Sequence, residues 1–346
     1  MRPPTRGPRA AAPAAALLVA LASGCVAGPS GTTPPPPTAS APDPTGSPSP
    51  GATPSPDGSG LAPVLVGTGP EPESRLLAHV LAELLRAARV PAVVDELADR
   101  ADARRALELG DVDVLPAYTG EAWLEVLGRA DPPSDQRQSF ARVRERDEDR
   151  GLLWQRPVFA TARGPEQPPA DATFALVVQG PPGVHGDLRT VSQLAARLAQ
   201  LPEPALCVDP EFAARRDGLG AVLDAYSVSR ATLEVVPATP DLAVVGVAEG
   251  ECVAGLTTAT DGTAWALGQQ PLVDDLGVFP AFVVTAIVRD GVREDRPGVL
   301  AALAPFGSGL TTERLGEWNG RVAAGTPVEV VALSAARELL AEAGRG

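Results

Sequence analysis

From residue 62 onward, short apolar runs alternate with amphipathic stretches. Pro63-Val64-Leu65-Val66-Gly67 predicts a buried strand ending in a loop over Gly67–Glu73. Leu76, Leu77, Val80, Leu81, Leu84 and Leu85 then recur at helical spacing and give one apolar helix face. Ala92–Asp95 predicts a second strand, Ala101–Leu109 a helix, and Val112–Leu115 a third strand running into Tyr118-Thr119-Gly120. The pattern restarts with strand Thr173–Val178, helix Thr190–Leu201, strand Ala205–Val208, helix Leu219–Tyr226, strand Leu233–Val236, helix Asp241–Glu249 and strand Cys252–Leu256. Strands separated by helices imply parallel pairing and an α/β layer architecture.

The two halves share a phrase. Ala106-Leu107-Glu108-Leu109-Gly110-Asp111-Val112 parallels Gly246-Val247-Ala248-Glu249-Gly250-Glu251-Cys252, a helix closing on Gly before a strand. Two similar lobes follow: residues 62–170 as the first part of lobe 1, 171–281 as lobe 2, and 282–346 as the return to lobe 1. The return begins with a strand at Phe282–Arg289 and continues with helices at Pro297–Ala304, Thr311–Ala323 and Val328–Glu342. The Pro-rich stretch Thr161–Asp171 reads as an insertion near the first crossover. Ligands of open α/β sheets sit outside the strand C-termini, so two facing lobes put one cleft between them.

The residues before this region carry a different message. Arg2, Arg6 and Arg9 precede the apolar run Leu17–Leu21 and then Ala22-Ser23-Gly24-Cys25, the layout of a lipoprotein signal. Residues 1–24 are therefore expected to be a signal peptide, with Cys25 as the lipidated residue that tethers the chain to the outer face of the cytoplasmic membrane. Residues 25–61 are rich in Pro, Gly, Ser, Thr and Ala, a composition with too little apolar side chain to offset the entropy of ordering, and predict a mobile tether.

Charge and composition exclude several function classes. The formal net charge is −14, which argues against nucleic acid or acidic lipid as a partner, while the absence of Lys says little about function. The two histidines, His79 and His185, are too few for a His-based metal site, and both are expected to be solvated. Gly67-Thr68-Gly69 starts like a dinucleotide loop but runs into Pro70 and Pro72. There is no Gly-x-Ser-x-Gly elbow, Walker loop or metal-spaced Cys/His set, so neither an enzyme nor a cofactor is expected. Asp111 and Asp113, read as alternating along a strand, face opposite sides rather than forming a carboxylate pair.

The loop Gly67–Glu73 with its helix, the run Gly110-Asp111-Val112-Asp113-Val114 and Tyr118-Thr119-Gly120 resemble the first lobe of the glycine betaine/carnitine/choline-binding family of ABC importers. The likeness continues through Thr173-Phe174-Ala175-Leu176, Asp209-Pro210-Glu211-Phe212-Ala213-Ala214-Arg215, Thr260-Asp261-Gly262 and Phe279-Pro280-Ala281-Phe282. The ordered set implies a two-lobed periplasmic-binding-protein fold of type II, a small quaternary-ammonium ligand and an ABC permease as partner. A quaternary ammonium has no N–H to donate, so it is best held against aromatic faces, while a betaine carboxylate wants a cation or a helix N-terminus.

By this resemblance Tyr118, Phe174 and Phe282 occupy cage positions, and Thr258 falls where a fourth ring is expected. Arg215 matches the carboxylate-binding Arg. Gly69 stands where the family commonly has Lys, and Glu121 where it commonly has Thr, two changes that favour a choline-like cation over glycine betaine. Without the resemblance the residues favour other roles: Phe174 and Phe282 in a lobe core, Tyr118 as a strand-end filler, Arg215 on a helix surface. Trp123 and Trp154 are expected in the core. Cys207 and Cys252 lie on strands that the family's sheet order makes neighbours, which admits either a disulfide or two buried thiols. Transport receptor is the leading reading, and a fold-retaining sensor or partner-binding lipoprotein with an eroded site is the alternative.

Lipidation at Cys25 is open to direct test. Cys25→Ser is expected to release the protein from the membrane fraction or to block processing at this site, and membrane fractionation like the wild type would rule the anchor out.

Overall fold

The structure, a computed structural model, describes residues 62–159 and 168–344. The signal and tether, with Cys25, and most of the Thr161–Asp171 insertion lie outside the described residues. In the first lobe β1 (Val64–Thr68) leads into α1 (Pro72–Ala87), followed by β2 (Ala92–Glu96), α2 (Arg100–Leu109), β3 (Val114–Tyr118), α3 (Thr119–Glu125), α4 (Gln136–Glu148) and β4 (Leu152–Trp154). The chain then crosses to β5 (Phe174–Val178), α5 (Val191–Leu198), β6 (Ala205–Val208), α6 (Pro210–Ala214) and α7 (Leu219–Ala225). A 3-10 turn at Arg230–Thr232 precedes β7 (Glu234–Pro237), α8 (Pro240–Glu249), β8 (Ala254–Thr258), α9 (Gly262–Ala266) and β9 (Gln270–Pro271). It returns through β10 (Val284–Arg289), α10 (Asp290–Asp295), α11 (Val299–Gly309), α12 (Thr312–Ala323) and α13 (Val328–Ala343).

The strands form two five-stranded sheets of matching plan, β2-β1-β3-β10-β4 and β7-β6-β8-β5-β9. Parallel pairing holds for β1 with β2 and β3, and for β6 with β7 and β8. It fails for the crossing strands: β10 is antiparallel to β3 and β4, and β5 to β8 and β9. The sheets are therefore mixed, because each crossing strand enters its lobe from the end at which the parallel strands stop. The shared phrase seen in the sequence closes α2 and α8 alike, with Gly110 at φ 85° and Gly250 at φ 78°, a left-handed turn that L side chains resist.

The apolar face of α1 is fully buried and packs with β1, β3, β10, α11 and α13. Each such Leu or Val contributes about 1.5–3 kcal/mol when removed from water, far more than any surface ion pair on this helix. The second lobe has its own core around Leu176, Leu194, Leu206, Phe212 and Leu256. A third cluster holds Trp123 and Trp154, both buried. There Asp147, with no exposed surface, accepts two bonds from Arg104 (2.8 and 2.6 Å) and one from Trp154 Nε1 (2.7 Å), tying α2, α4 and β4. Its charge is compensated on every side, which is what keeps a buried carboxylate tolerable.

Several sequence expectations are corrected. Asp111 and Asp113 precede β3 instead of alternating along it, and Asp113 bonds Leu65 N–H (3.0 Å) and Arg289 (2.7 Å). His79 and His185 are half-buried, and burial lowers the pKa of each below the ordinary imidazole value. The helix α4 escaped the pattern because only Phe140 and Val143 among its apolar residues are buried on an otherwise charged element. The strand at Phe282–Arg289 begins at Val284, leaving Phe282 in the crossover.

The helix α12 joins both lobes. Leu315 and Trp318 enter the first-lobe core, while Gly316 and Gly320 on α12 meet Trp265 of α9. A Cβ on Gly316 would lie 2.1 Å from the indole ring, so only Gly admits this contact. Trp265 Nε1–H also donates to Ala259 O (3.0 Å), fixing the ring against the β8–α9 turn.

Cys207 on β6 and Cys252, two residues before β8, are joined by a disulfide with Cα atoms 5.7 Å apart and a sequence separation of 45. A bridge closing a loop of that length restricts the unfolded chain, and its loss typically costs about 2–4 kcal/mol. Paired Cys207→Ser and Cys252→Ser substitutions are expected to lower stability by that amount in urea titrations. Alkylation of the unreduced protein should modify neither thiol, and two modified thiols would contradict the bridge.

Candidate functional site

The two crossovers run side by side between the lobes. Ala172 N–H donates to Phe282 O (3.1 Å) and Val284 N–H to Ala170 O (2.8 Å), and Asp171 and Val283 form an antiparallel bridge. The Asp171 carboxylate accepts from Phe282 N–H (2.7 Å) and Gln136 Nε2 (2.9 Å), and burial raises its pKa. Thr119 fastens the ribbon to the first lobe, its N–H donating to Val283 O (3.0 Å) and its hydroxyl accepting from Val283 N–H (3.0 Å). Side chains alternate along such a ribbon. Ala172 faces one cavity, Asp171 and Thr173 face another, and Phe174 at the start of β5 lines both.

The first cavity has a volume of about 660 Å³. Its walls come from Glu71, Glu73, Arg100, Tyr118, Glu121 and Phe282 on one side and from Phe174, Thr258, Thr260 and Asp261 on the other, with Asn319 of α12 between them. The second, of similar volume, is lined by Phe174, Arg189, Trp265, Asp274 and Phe279 among others, and of the seven ligand positions named from the sequence holds only Phe174. The first is the candidate site.

Five of the seven sequence-selected ligand positions line this cavity: Tyr118, Glu121, Phe174, Thr258 and Phe282. Tyr118 ends β3, Glu121 lies in the first turn of α3, and Phe174 is register partner to Thr258 across β5 and β8. Phe282 rests on Gly120, where a Cβ would come 2.6 Å from the ring, so the Gly after Tyr118-Thr119 makes room for a cavity wall. Phe174 is half-buried and packs with Phe212 (5.0 Å between ring centres) and Phe279 (6.3 Å), serving the lobe core as well as the cavity. The other two are not in the wall. Arg215 caps the C-terminus of α6, pairs with Asp217 at 2.5 Å, and reaches only to 5.9 Å from the Phe174 ring centre. Gly69 lies behind the wall, against Arg100 and Glu71.

Charge dominates the cavity. Glu71, Glu73, Glu121, Asp241 and Asp261 line it, against Arg100 as the single cation among the described residues. Tyr118 is buried and donates its hydroxyl to Glu73 Oε1 (2.8 Å). Burial, with the Glu73 charge beside it, pushes the phenol pKa well above its ordinary value, so the hydroxyl stays a donor. Asn319 Nδ2 donates to Glu73 Oε2 (2.6 Å) and to Thr260 O (2.8 Å), linking α1, α12 and the turn between β8 and α9. Arg100, at the start of α2, hydrogen-bonds Glu121, stands 3.2 Å from Glu71, and places its guanidinium carbon 4.7 Å from the Tyr118 ring centre.

Sequence reasoning missed Arg100, Glu73 and Asn319. Nothing marks Arg100 among so many arginines, and Asn319 carries only the signal of flanking Gly316 and Gly320. The expectation of a choline-like preference treated Glu121 as a free charge, whereas here it is neutralised by Arg100.

Comparison with known proteins agrees with this architecture. Residues 62–338 match the family described as the substrate binding domain of ABC-type glycine betaine transport systems. A glycine-betaine-binding protein of Pseudomonas aeruginosa is 28% identical over 256 residues, covering 72% of this chain and 79% of the relative. The glycine betaine-binding protein YehZ of Escherichia coli is 27% identical over 270 residues, covering 76% and 85%. The solved structure of apo YehZ from Escherichia coli matches 80% of this chain and 99% of its own with a TM-score of 0.71 and 25% identity. A glycine betaine/carnitine/choline ABC transporter structure shares the fold at a TM-score of 0.68 and 19% identity.

Among the described residues the Asn319 amide is the one side chain that bonds Glu73 and Thr260 together. Asn319→Ala leaves a carboxylate oxygen and a buried carbonyl without this donor and is expected to cost about 1–3 kcal/mol, read as a lowered urea midpoint. An unchanged midpoint would mean that water replaces the amide fully.

Proposed function

We propose that this chain, which belongs to the family of substrate-binding domains of ABC-type glycine betaine transport systems, is the receptor of an importer for a small quaternary-ammonium osmolyte of the glycine betaine or choline type. The family is one of solute-binding proteins, not of enzymes, its fold is the two-lobed type II periplasmic-binding-protein fold, and the substrate-binding domains of ABC importers are extracytoplasmic. No helix among the described residues is long and apolar enough to cross a membrane.

The observation that carries the reading is the cavity itself: Tyr118, Phe174 and Phe282 bring three rings to one acidic space between the lobes. A diffuse cation that cannot hydrogen-bond gains from the electron-rich ring faces and from the surrounding carboxylates. A desolvated contact of this kind is worth about 2 kcal/mol per ring. Relatives named for glycine betaine support the ligand class. Ligand bound between the lobes would draw them together about the crossover ribbon, and the closed form would be the one the permease recognises. The Cys25 lipid and the tether would keep the receptor at the outer face of the cytoplasmic membrane.

Thr258 favours a second reading, since a hydroxyl stands where a further ring would close the cage. Under that reading the chain keeps the fold but serves as a sensor or partner-binding lipoprotein.

Titration calorimetry separates the two. The wild type is expected to bind glycine betaine or choline, and Tyr118→Ala to reduce affinity more than tenfold, through loss of a ring contact of about 2 kcal/mol together with the Glu73 bond. A wild type with no heat for either compound would favour the sensor reading.

A further inference from the structure

The cation nearest the aromatic wall is the protein's own. The Arg100 guanidinium carbon stands 4.7 Å from the centre of the Tyr118 ring, where a quaternary ammonium would stack. Three anchors hold it: the ring, a hydrogen bond to Glu121, and Glu71 at 3.2 Å. The set is incomplete in one respect. Arg100 Nε and Glu71 Oε2 are buried atoms without a hydrogen bond, close enough for charge attraction but not aligned for donation. Arg100 is thus a cation already in the cavity, with one N–H that makes no hydrogen bond and a side chain about a third exposed.

We propose that Arg100 is the specificity-determining residue of this cleft, selecting zwitterionic quaternary amines over purely cationic ones. The inference rests on the ligand class proposed above and adds the charge rule. A ligand that carries only positive charge must displace Arg100 from Tyr118 and then share the space with it, so repulsion between like charges opposes binding. A betaine brings a carboxylate. The guanidinium can leave the ring face, give its planar N–H pair to that carboxylate, and open Tyr118 to the ammonium end of the same molecule. Glu121 is the counterweight. While it holds Arg100 the site is occupied from within, and a betaine carboxylate must take the guanidinium over from it. Arg215, which the sequence suggested for this role, is engaged with Asp217 and absent from the wall.

The test compares glycine betaine with choline by titration calorimetry on wild type, Arg100→Ala, Arg100→Lys and Glu121→Gln. A charge-assisted hydrogen bond made by one ligand and not by the other is worth about tenfold or more in the affinity ratio. Arg100→Ala is expected to lower the preference for glycine betaine over choline by at least that factor, with choline affinity rising. Arg100→Lys should retain part of the preference, and Glu121→Gln should shift it further toward glycine betaine. Should Arg100→Ala prove unstable, the Lys and Gln variants carry the same comparison. A wild type that binds, with a betaine-to-choline ratio unmoved by any substitution, would overturn the role of Arg100 and leave the receptor reading intact. Absence of binding by every variant, wild type included, would remove the receptor reading and this rule with it.

Discussion

The antiparallel pairing of the two crossovers is the interaction on which the rest of the molecule depends. Two chain segments that must each leave one lobe and enter the other have exposed N–H and C=O groups, and pairing them with each other satisfies both at once. The pairing of Ala172 with Phe282, and of Val284 with Ala170, makes one ribbon out of two connections far apart in sequence. It also explains the sheets. A strand delivered by the ribbon runs against its parallel neighbours, so each lobe acquires an antiparallel member beside its three parallel strands. Because Phe174 and Phe282 sit at the ends of the ribbon, two cavity walls are positioned by the same hydrogen bonds that connect the lobes.

The cleft's chemistry is set by charge more than by shape. Carboxylates outnumber cations along the wall, in keeping with a chain of formal net charge −14. Three of them are held by specific partners: Glu73 by Tyr118 and Asn319, Asp261 by Thr257 and the first turn of α9, Glu121 by Arg100. Such pairing fixes where the negative potential lies, with Arg100 over the Tyr118 ring and the rings of Phe174 and Phe282 in the same wall.

Much of this was legible in the sequence. The apolar periodicity located β1, α1, β2, α2 and β3 within a few residues, and Tyr118-Thr119-Gly120 marked the strand end that meets the cavity. The misses have physical causes. Periodicity reports burial, so α4, with two buried apolar residues, gave no pattern, and strand direction, which depends on how the chain enters a lobe, leaves no trace in apolar spacing. Arg100 could not be found by motif because its role comes from a fold that brings the start of α2 against the end of β3. Arg215, in the matching motif, pairs with Asp217 and lies outside the described cavity wall, a placement no motif reports.

The contact of Trp265 with Gly316 and Gly320 has a mechanical meaning. Lobes joined by a ribbon alone could swing, twist and slide. A second attachment, formed by an indole seated on a helix that is itself rooted in the opposite core, removes most of that freedom. Two separated points that both stay joined define a line, and a rigid lobe can then turn only about it. Any rotation of one lobe against the other that keeps both attachments therefore has a single axis, passing through the ribbon and Trp265.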